Sequence, residues 1–312
     1  MRYFISFDVG GTSIKHGLVD EQGKVVERGS FMTYNTRQEN LDGLVKAVHH
    51  YQNSYTVDAI GVSAPGIVRA DGYMITGGAI DSFFEFNFAQ TLQEMTGLPT
   101  HVENDANAAA IAERWLGNAQ GVQNYVCLVL GTGIGMGIVI NGVVFRGAHG
   151  MAGEVGWNII HDVDLTQDLE AASLNYHASV VSGLVRRYNA SLKLAFPNAT
   201  YVSDARDILA LAHEDDRIAA PIYRDFLMDV STMVLNLFGN FDPEVILIGG
   251  GISANDQFMV DLHAMVDECL ARHKALNGVK DRVLGQVKPA GLRNDAGLLG
   301  AVYPLVRDAK KG

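Results

Sequence analysis

Two similar α/β domains facing each other across a cleft are the architecture this sequence predicts. Three observations predict it. The chain has 312 residues, enough for about two domains at roughly 150 residues each. A β-branched run ends in a glycine bend twice, at Tyr3–Val9 before Gly10-Gly11 and at Tyr125–Leu130 before Gly131-Thr132-Gly133. A small-residue helix is opened twice by one short pattern, Glu103-Asn104-Asp105-Ala106 and Arg293-Asn294-Asp295-Ala296. The repeat distance, roughly 120–190 residues, is too long for a solenoid, so a whole βββαβα unit is duplicated.

In the first copy, Tyr3–Val9, Thr12–Val19 and Lys24–Met32 read as strands, parted by Gly10-Gly11 and by the turn Asp20-Glu21-Gln22-Gly23. Glu39–Tyr51 puts Leu41, Leu44, Val45 and Val48 on one helical face. Asp58–Ala64 is a strand ending at Pro65-Gly66, Phe88–Thr96 a helix stopped by Gly97 and Pro99, and Thr100–Glu103 a short strand. Asp105 then opens the helix Ala106–Leu116. In the second copy, Tyr125–Leu130, Gly135–Ile140 and Val143–Arg146 read as strands, with Asn141-Gly142 as a hairpin turn. Helical stretches follow at Leu169–Asn189, Asp204–His213 and Ile218–Phe238. Val245–Ile248 is a strand ending in Gly249-Gly250-Gly251, and Val283–Val287 is the last strand. The domains are expected at 1–116 plus about 296–312, and at 117–295.

Hydrophobic residues make up 48% and charged residues 19%, a globular balance that excludes long disorder. A net charge of −11 without a basic block argues against a general nucleic-acid binder and against attachment to anionic membranes. No run of about 18 apolar residues occurs, so no membrane span is expected. The apolar part of the N-terminal segment is too short for a signal peptide. Cys127 and Cys269 have no Cys or His at ligand spacing, which excludes a zinc finger or ribbon. Cys127 is expected to be a buried small hydrophobe. Low cysteine use fits a reducing cytosol, and a cytoplasmic location is expected.

The glycine loops suggest phosphate. Asp8-Val9-Gly10-Gly11-Thr12-Ser13-Ile14-Lys15 combines an acid, a tight turn, a hydroxyl and a cation. Backbone N–H groups at Gly10 and Gly11 can approach phosphate oxygens with no Cβ in the way. Thr12 adds a hydroxyl, Lys15 a neutralising charge, and Asp8 can hold Mg²⁺ through water. The alternative is a plain glycine hairpin capped by Asp8. Gly131, Thr132 and Gly133 do not begin a dinucleotide fingerprint, because the spacing fails and a strand follows where a helix is required. They read as a second phosphate-binding hairpin facing the first. Gly249 and Gly250 offer bare backbone to an adenine or ribose, or else form a turn needing positive φ. Three such turns at equivalent places in a duplicated fold outweigh any one of them, and they converge on the inter-domain cleft.

Asp8-x-Gly10-Gly11-Thr12-x-x-Lys15, Glu103-Asn104-Asp105-Ala106-Asn107-Ala108, Gly131-Thr132-Gly133-Ile134-Gly135 and Ala152-Gly153-Glu154-Val155-Gly156 occur in that order. Together they resemble the ROK family of sugar kinases and repressors, over the whole chain. The resemblance implies the actin-like (ribonuclease H-like), hexokinase-type fold and a cleft that closes over its sugar. It implies ATP and Mg²⁺ as cofactors, and a hexose against the Glu-Asn-Asp strand end with Gly66 among its contacts. Family members often form homodimers; the residues themselves do not decide assembly.

Asp105 is the candidate general base. Phosphoryl transfer is mostly positioning, but a carboxylate must still orient the attacking hydroxyl and take its proton. N-capping of the following helix is the alternative. The resemblance favours catalysis, while Asp295 in the matching motif is expected only to cap. Asn104 offers sugar hydroxyls an amide that donates and accepts. The resemblance places Glu154 against sugar hydroxyls, with a solvated loop acid as the alternative. His149 in the same loop is expected to be exposed or packing.

Many members of the family carry a His where Trp157 stands, followed by a cysteine cluster that binds zinc and supports the sugar site. Here no cysteine lies between Cys127 and Cys269, so the structural zinc is expected to be absent. Glu170 matches the family's second sugar-contacting Glu or is a solvated residue near a helix start. Trp157 offers a broad apolar face and a single donor, on which an aglycone can stack past an open anomeric end.

Ile75-Thr76-Gly77-Gly78-Ala79-Ile80, Ala112-Glu113-Arg114-Trp115 and the Gly291–Tyr303 segment resemble the β-glucoside kinases of the family. Those enzymes phosphorylate the 6-hydroxyl of the non-reducing glucose in cellobiose and related β-glucosides. The alternatives are a glucokinase or another hexose or amino-sugar kinase, a ROK-type regulator, and an ATP-binding scaffold. A regulator needs a helix-turn-helix ahead of the Asp8 motif, which is reached within eight residues, so none is expected. Asn104, Asp105 and Glu154 argue against a scaffold.

Overall fold

The computed structural model describes residues 1–310. In chain order, β1 (Tyr3–Val9), β2 (Ser13–Asp20) and β3 (Val25–Met32) form a meander, followed by α1 (Arg37–Gln52) and β4 (Val57–Ala64). The pair β5 (Tyr73–Met74) and β6 (Phe86–Asn87), then α2 (Phe88–Thr96), β7 (Thr100–Asn104) and α3 (Asp105–Leu116), complete the first half. The second half opens with β8 (Tyr125–Leu130), β9 (Ile134–Ile140) and β10 (Val143–Val144). It continues through α4 (Leu174–Ala178), α5 (Arg186–Ala195), α6 (Ala205–His213), α7 (Ala219–Phe241) and β11 (Val245–Gly249). It ends with α8 (Asp256–Arg272), α9 (Lys274–Val283), β12 (Gln286–Pro289) and α10 (Ala296–Ala309). No helix is long and apolar enough to cross a membrane among the described residues.

The duplication is visible in the sheets. One runs β3-β2-β1-β4-β7, the other β10-β9-β8-β11-β12, with the same antiparallel and parallel pairings. The β9–β10 turn has the predicted form, with Asn141 at φ 52° and Gly142 at φ 74°, both left-handed as a type I′ turn requires.

The two halves interlock through their last helices. α10 follows the second sheet but lies on the first: Ser6 Oγ donates to the Leu298 carbonyl at 2.6 Å, and a Cβ on Gly61 would stand 2.4 Å from the Ala301 carbonyl oxygen. α3 follows the first sheet but packs on the second, where the buried Tyr125 hydroxyl donates to the Ala110 carbonyl at 2.7 Å. The two helices cross at Gly300, whose absent Cβ would lie 1.8 Å from the Ala108 carbonyl oxygen. This crowding explains the alanine run in α3, since larger side chains would push the sheets apart. Leu299, Val302 and Val306 of α10 join Phe4, Val19 and Ala112 in one core, and Cys127 is buried as expected.

The chain crosses between halves twice, and Glu113 fastens both crossings. This fully buried side chain accepts from the Asn118 N–H at 2.8 Å through Oε2 and from the Leu292 N–H at 2.7 Å through Oε1. Asn118 Nδ2 also donates to the Pro289 carbonyl at 2.9 Å.

Three expectations change. Leu169–Asn189 is not one helix: a 3₁₀ turn at Leu169–Ala172, α4, a π-helical stretch at Val180–Val185 and the start of α5 replace it. Ser173 caps α4 by accepting from the Tyr176 N–H, which restarts the helix. The last strand begins at Gln286 rather than Val283, because α9 occupies Lys274–Val283. Asp295 caps nothing with its side chain; it accepts from Nη1 and Nη2 of Arg28 instead.

Candidate active site

The first functional side chain comes from the β7–α3 junction. The N-cap of α3 is Asn104, not Asp105: Asn104 Oδ1 accepts from the Asn107 N–H at 3.0 Å. Both hydrogens of its amide are also engaged, with the Gly66 carbonyl at 3.0 Å and Asp105 Oδ1 at 3.1 Å. Asn104 is thus a framework residue that retains one acceptor lone pair for a ligand. Asp105 is freed from capping. Its Oδ1 also accepts from the Ala106 N–H at 2.8 Å, which aims the carboxylate outward from the helix start. Asp105 keeps an exposed face, but the surrounding protein withholds water and the Asp8 charge lies within reach, and together these push its carboxyl up to about 6. Donors from Ala106 and Asn104 oppose that shift without cancelling it.

A loop of the second half closes over this junction. Gly150 has φ 87°, and a Cβ there would stand 2.5 Å from the Val68 carbonyl oxygen of the first half. Gly153, at φ 103°, packs directly on the Met136 carbonyl. The loop carries Glu154, which is half-buried; desolvation, with the Asp105 charge, pushes its carboxyl up to about 6. No hydrogen bond occupies that carboxylate among the described residues, so it is available to a ligand. His149 in the same loop is exposed. Beneath Asp105, the buried Glu103 is gripped by Arg146 of the same loop through Nε and Nη2. Burial opposes its charge, but His101 and Arg146 outweigh it and hold the carboxyl below its ordinary value.

Gly66 sits at φ 91°, and its backbone lies so near Thr76 and Gly78 that a Cβ would meet the Thr76 carbonyl at 2.3 Å. Trp157 ends the 3₁₀ turn after Glu154 and is 52% exposed, an open indole face at the loop edge. Glu170 is exposed in the first turn of Leu169–Ala172. No hydrogen bond or ion pair ties it to Asp105 or Glu154 among the described residues. The segment carrying it is tied to the Trp157 segment by backbone bonds from Ile160 to Ala172 and from Leu174 to Asn158.

The glycine loops supply the other wall. Asp8 lies at the end of β1, with Ser63 Oγ donating to Oδ1 at 3.3 Å and Lys15 Nζ 3.4 Å from Oδ2. The start of α10 presses on it, since a Cβ on Gly297 would stand 2.4 Å from Asp8 Oδ1. Gly11 and Thr12 are exposed at the bend, and Gly10 closes it with an N–H to the Ser13 carbonyl at 3.1 Å. In the second half, Thr132 and Gly133 are exposed, and the loop is held by Asn175 Oδ1, which accepts from the Ile134 N–H at 3.0 Å. A cavity of about 770 Å³ opens beside Gly131 and Thr132, walled by Val180, Asp204, Arg206 and Gly251 among others.

Of the last glycine run, Gly251 faces this cavity. Gly249 is buried within β11, and Gly250 at φ 89° packs on the Leu130 carbonyl, where a Cβ would lie 1.9 Å away. At Gly250 the missing side chain lets the chain leaving β11 pack tightly against β8. Sequence reasoning missed Asn175, which holds the bend, and Val180 and the Asp204–Arg206 edge, which line the cavity. No local pattern marks them: Asn175 and Val180 come into place through the broken helix that replaces Leu169–Asn189, and Asp204–Arg206 through the start of α6.

The two glycine loops and the Asp105–Glu154 pair thus come from both repeats of one duplicated fold. This chain is a carbohydrate kinase of the two-domain, actin-like class. It belongs to the ROK family, whose profile matches residues 4–308. A β-glucoside kinase of Listeria innocua is 33% identical over 307 residues, covering 98% of each chain. A glucokinase of Halalkalibacterium halodurans is 29% identical, over 96% of this chain and 93% of its own. Among solved structures, a ROK family glucokinase from Streptomyces griseus in complex with glucose and AMPPNP aligns with a TM-score of 0.81 at 28% identity, covering 98% of this chain and 99% of that one.

Proposed function

We propose that this enzyme transfers the γ-phosphate of ATP to the 6-hydroxyl of a glucose unit, with β-glucosides such as cellobiose as preferred substrates. The observation that carries the reading is Asp105, released from capping by Asn104 and raised to about 6 at the cleft. A base poised near the working pH is suited to accept a hydroxyl proton late in a loose transition state. In that step the sugar oxygen bonds to the γ-phosphorus, its proton passes to Asp105, and ADP departs with the electron pair of the broken P–O bond. Glu154 receives neighbouring sugar hydroxyls, and the remaining lone pair of Asn104 takes another. Gly11, Thr12, Thr132 and Gly133 present backbone N–H groups and hydroxyls to the phosphates, in bends closed by the N–H groups of Gly10 and Gly131, with Lys15 adding charge.

Asp8 fits a hydrated Mg²⁺: its carboxylate is partly accessible at a strand end and held in place by Ser63. Bound there, the ion supplies charge neutralisation at the phosphates. The adenosine end fits the cavity beside Gly251. The domain division proposed at 116 and about 296 falls beside the two crossings tied by Glu113, with α3 counted by chain order in the first domain although it packs on the second sheet, and a cytoplasmic homodimer is the form we propose.

Specificity for β-glucosides rests on Trp157, whose exposed indole offers a stacking face beyond the anomeric carbon. ATP consumption across glucose, cellobiose, gentiobiose, N-acetylmannosamine and fructose tests the reading, with ³¹P–¹H correlation to locate the phosphate. The expected result is a higher kcat/KM for cellobiose than for glucose, with phosphate on oxygen 6 of the non-reducing ring. Efficient glucose phosphorylation without turnover of β-glucosides would instead establish the glucokinase alternative.

A further inference from the structure

Away from the glycine loops, three metal-ligating side chains meet at one point. His161 follows the Trp157 turn, His177 lies on α4 and Asp229 on α7, and one ligand atom of each lies within 4.8 Å of the other two. We propose that His161, His177 and Asp229 bind a divalent first-row transition ion, with water completing a tetrahedral shell.

The donor set suits such an ion, since two imidazoles and one carboxylate leave a fourth position open. His177 Nε2 lies 2.8 Å from the Ala171 carbonyl, which can only accept. That nitrogen therefore carries the proton, and the other ring nitrogen keeps the lone pair that ligates a metal. The Asp229 side chain is only 10% exposed. Its Oδ1 lies 3.0 Å from His161 Nε2, while its Oδ2 is buried with no hydrogen-bond partner. Arg187 Nη1 stands 3.8 Å from Oδ2. Its guanidinium is directed instead to Asp225 at 2.9 Å and to the His177 carbonyl at 3.3 Å. A buried carboxylate oxygen without a donor is costly, and a bound cation removes that cost. Ligand bonds of about 2.1 Å in a tetrahedron set donor atoms about 3.4 Å apart, and the three ligand atoms already lie within 4.8 Å of one another.

Sequence spacing cannot reveal this site, because His161 and Asp229 stand 68 positions apart. The expectation of no zinc rested on the cysteines and on His spacing along the chain, and zinc bound here would overturn it. An ion here would tie the segment bearing Trp157 and Glu170 to α7.

The test uses the full-length protein, stripped with chelator and free of sugar and nucleotide, titrated with Co²⁺ alone. The expected result is one Co²⁺ per chain with the visible absorption of a tetrahedral nitrogen–oxygen site. His161→Ala, at an exposed position, should lose the band and weaken binding at least ~10-fold while keeping its circular dichroism. Asp229→Asn should lose the band as well. Asp8→Asn should retain it, which separates this site from the nucleotide metal. Absence of a band in the unmodified protein, its survival in His161→Ala, or its loss in Asp8→Asn would each overturn the proposal.

Discussion

Asp105 can be separated from its surroundings because its neighbour carries the capping. Asp105→Asn should cut turnover at least ~10²-fold, the scale of general-base catalysis, while α3 stays capped by Asn104. The same substitution should raise stability at neutral pH. The carboxyl sits at about 6 in the folded protein against an ordinary 3.8, so the folded state holds its proton more tightly than the unfolded chain. Stability therefore falls as pH rises through that window, and the ionised side chain is a burden above it. Calorimetry should find Asp105→Asn with the higher Tm at about pH 8, and no difference at about pH 3, below both values. For the unmodified enzyme, kcat/KM should fall below about pH 6, on a limb that belongs jointly to Asp105 and Glu154 because each charge penalises the other. Asp295→Asn is the contrast: it breaks only an exposed pair with Arg28, and stability should change by less than about 1 kcal/mol.

Among the elements, the β8–β9 bend depends on α4. Asn175→Ala removes the acceptor of the Ile134 N–H, a loss of about 1 kcal/mol. Steady-state kinetics should show KM for ATP raised about 5-fold by that loss, with KM for sugar little changed. A larger effect on sugar than on ATP would assign the bend to the other substrate. Nine of the ten strands of the two large sheets were legible, most of them because β-branched runs end at glycine or a turn, whereas the short β5–β6 pair was not marked and the last strand was placed three residues early; the Asn141-Gly142 turn was legible because few dipeptides tolerate two left-handed residues. The helices at Asp256–Arg272 and Lys274–Val283 were not marked out, and the break within Leu169–Asn189 was invisible. There, capping by Ser173 and packing on the Gly131 carbonyl override a continuous helical pattern. The same limit applies to the site. Asp105 and Glu154 sit in local motifs that a sequence displays, whereas the cavity wall and the His161–His177–Asp229 cluster exist only once distant elements pack.

At the scale of the whole molecule, the crossing of α3 and α10 is the tightest contact between the repeats. Gly300→Ala would drive a methyl into the Ala108 carbonyl, whose helix is fixed from both sides. Denaturant titration should show a loss of about 1–3 kcal/mol or more, the cost of overpacking. Reduced activity should accompany it, because α3 begins at Asp105, the proposed base.

Glu113 gives the molecule an axle. Both segments of chain that join the halves hang from its two oxygens, so a change in the angle between the sheets that turns about this point moves nearby atoms least and distant ones most. Glu113→Gln keeps the shape of the axle but leaves one oxygen instead of two, so one suspension is released. Small-angle scattering should then record a broader spread of shapes without sugar than the unmodified enzyme gives, and a larger contraction when sugar is added.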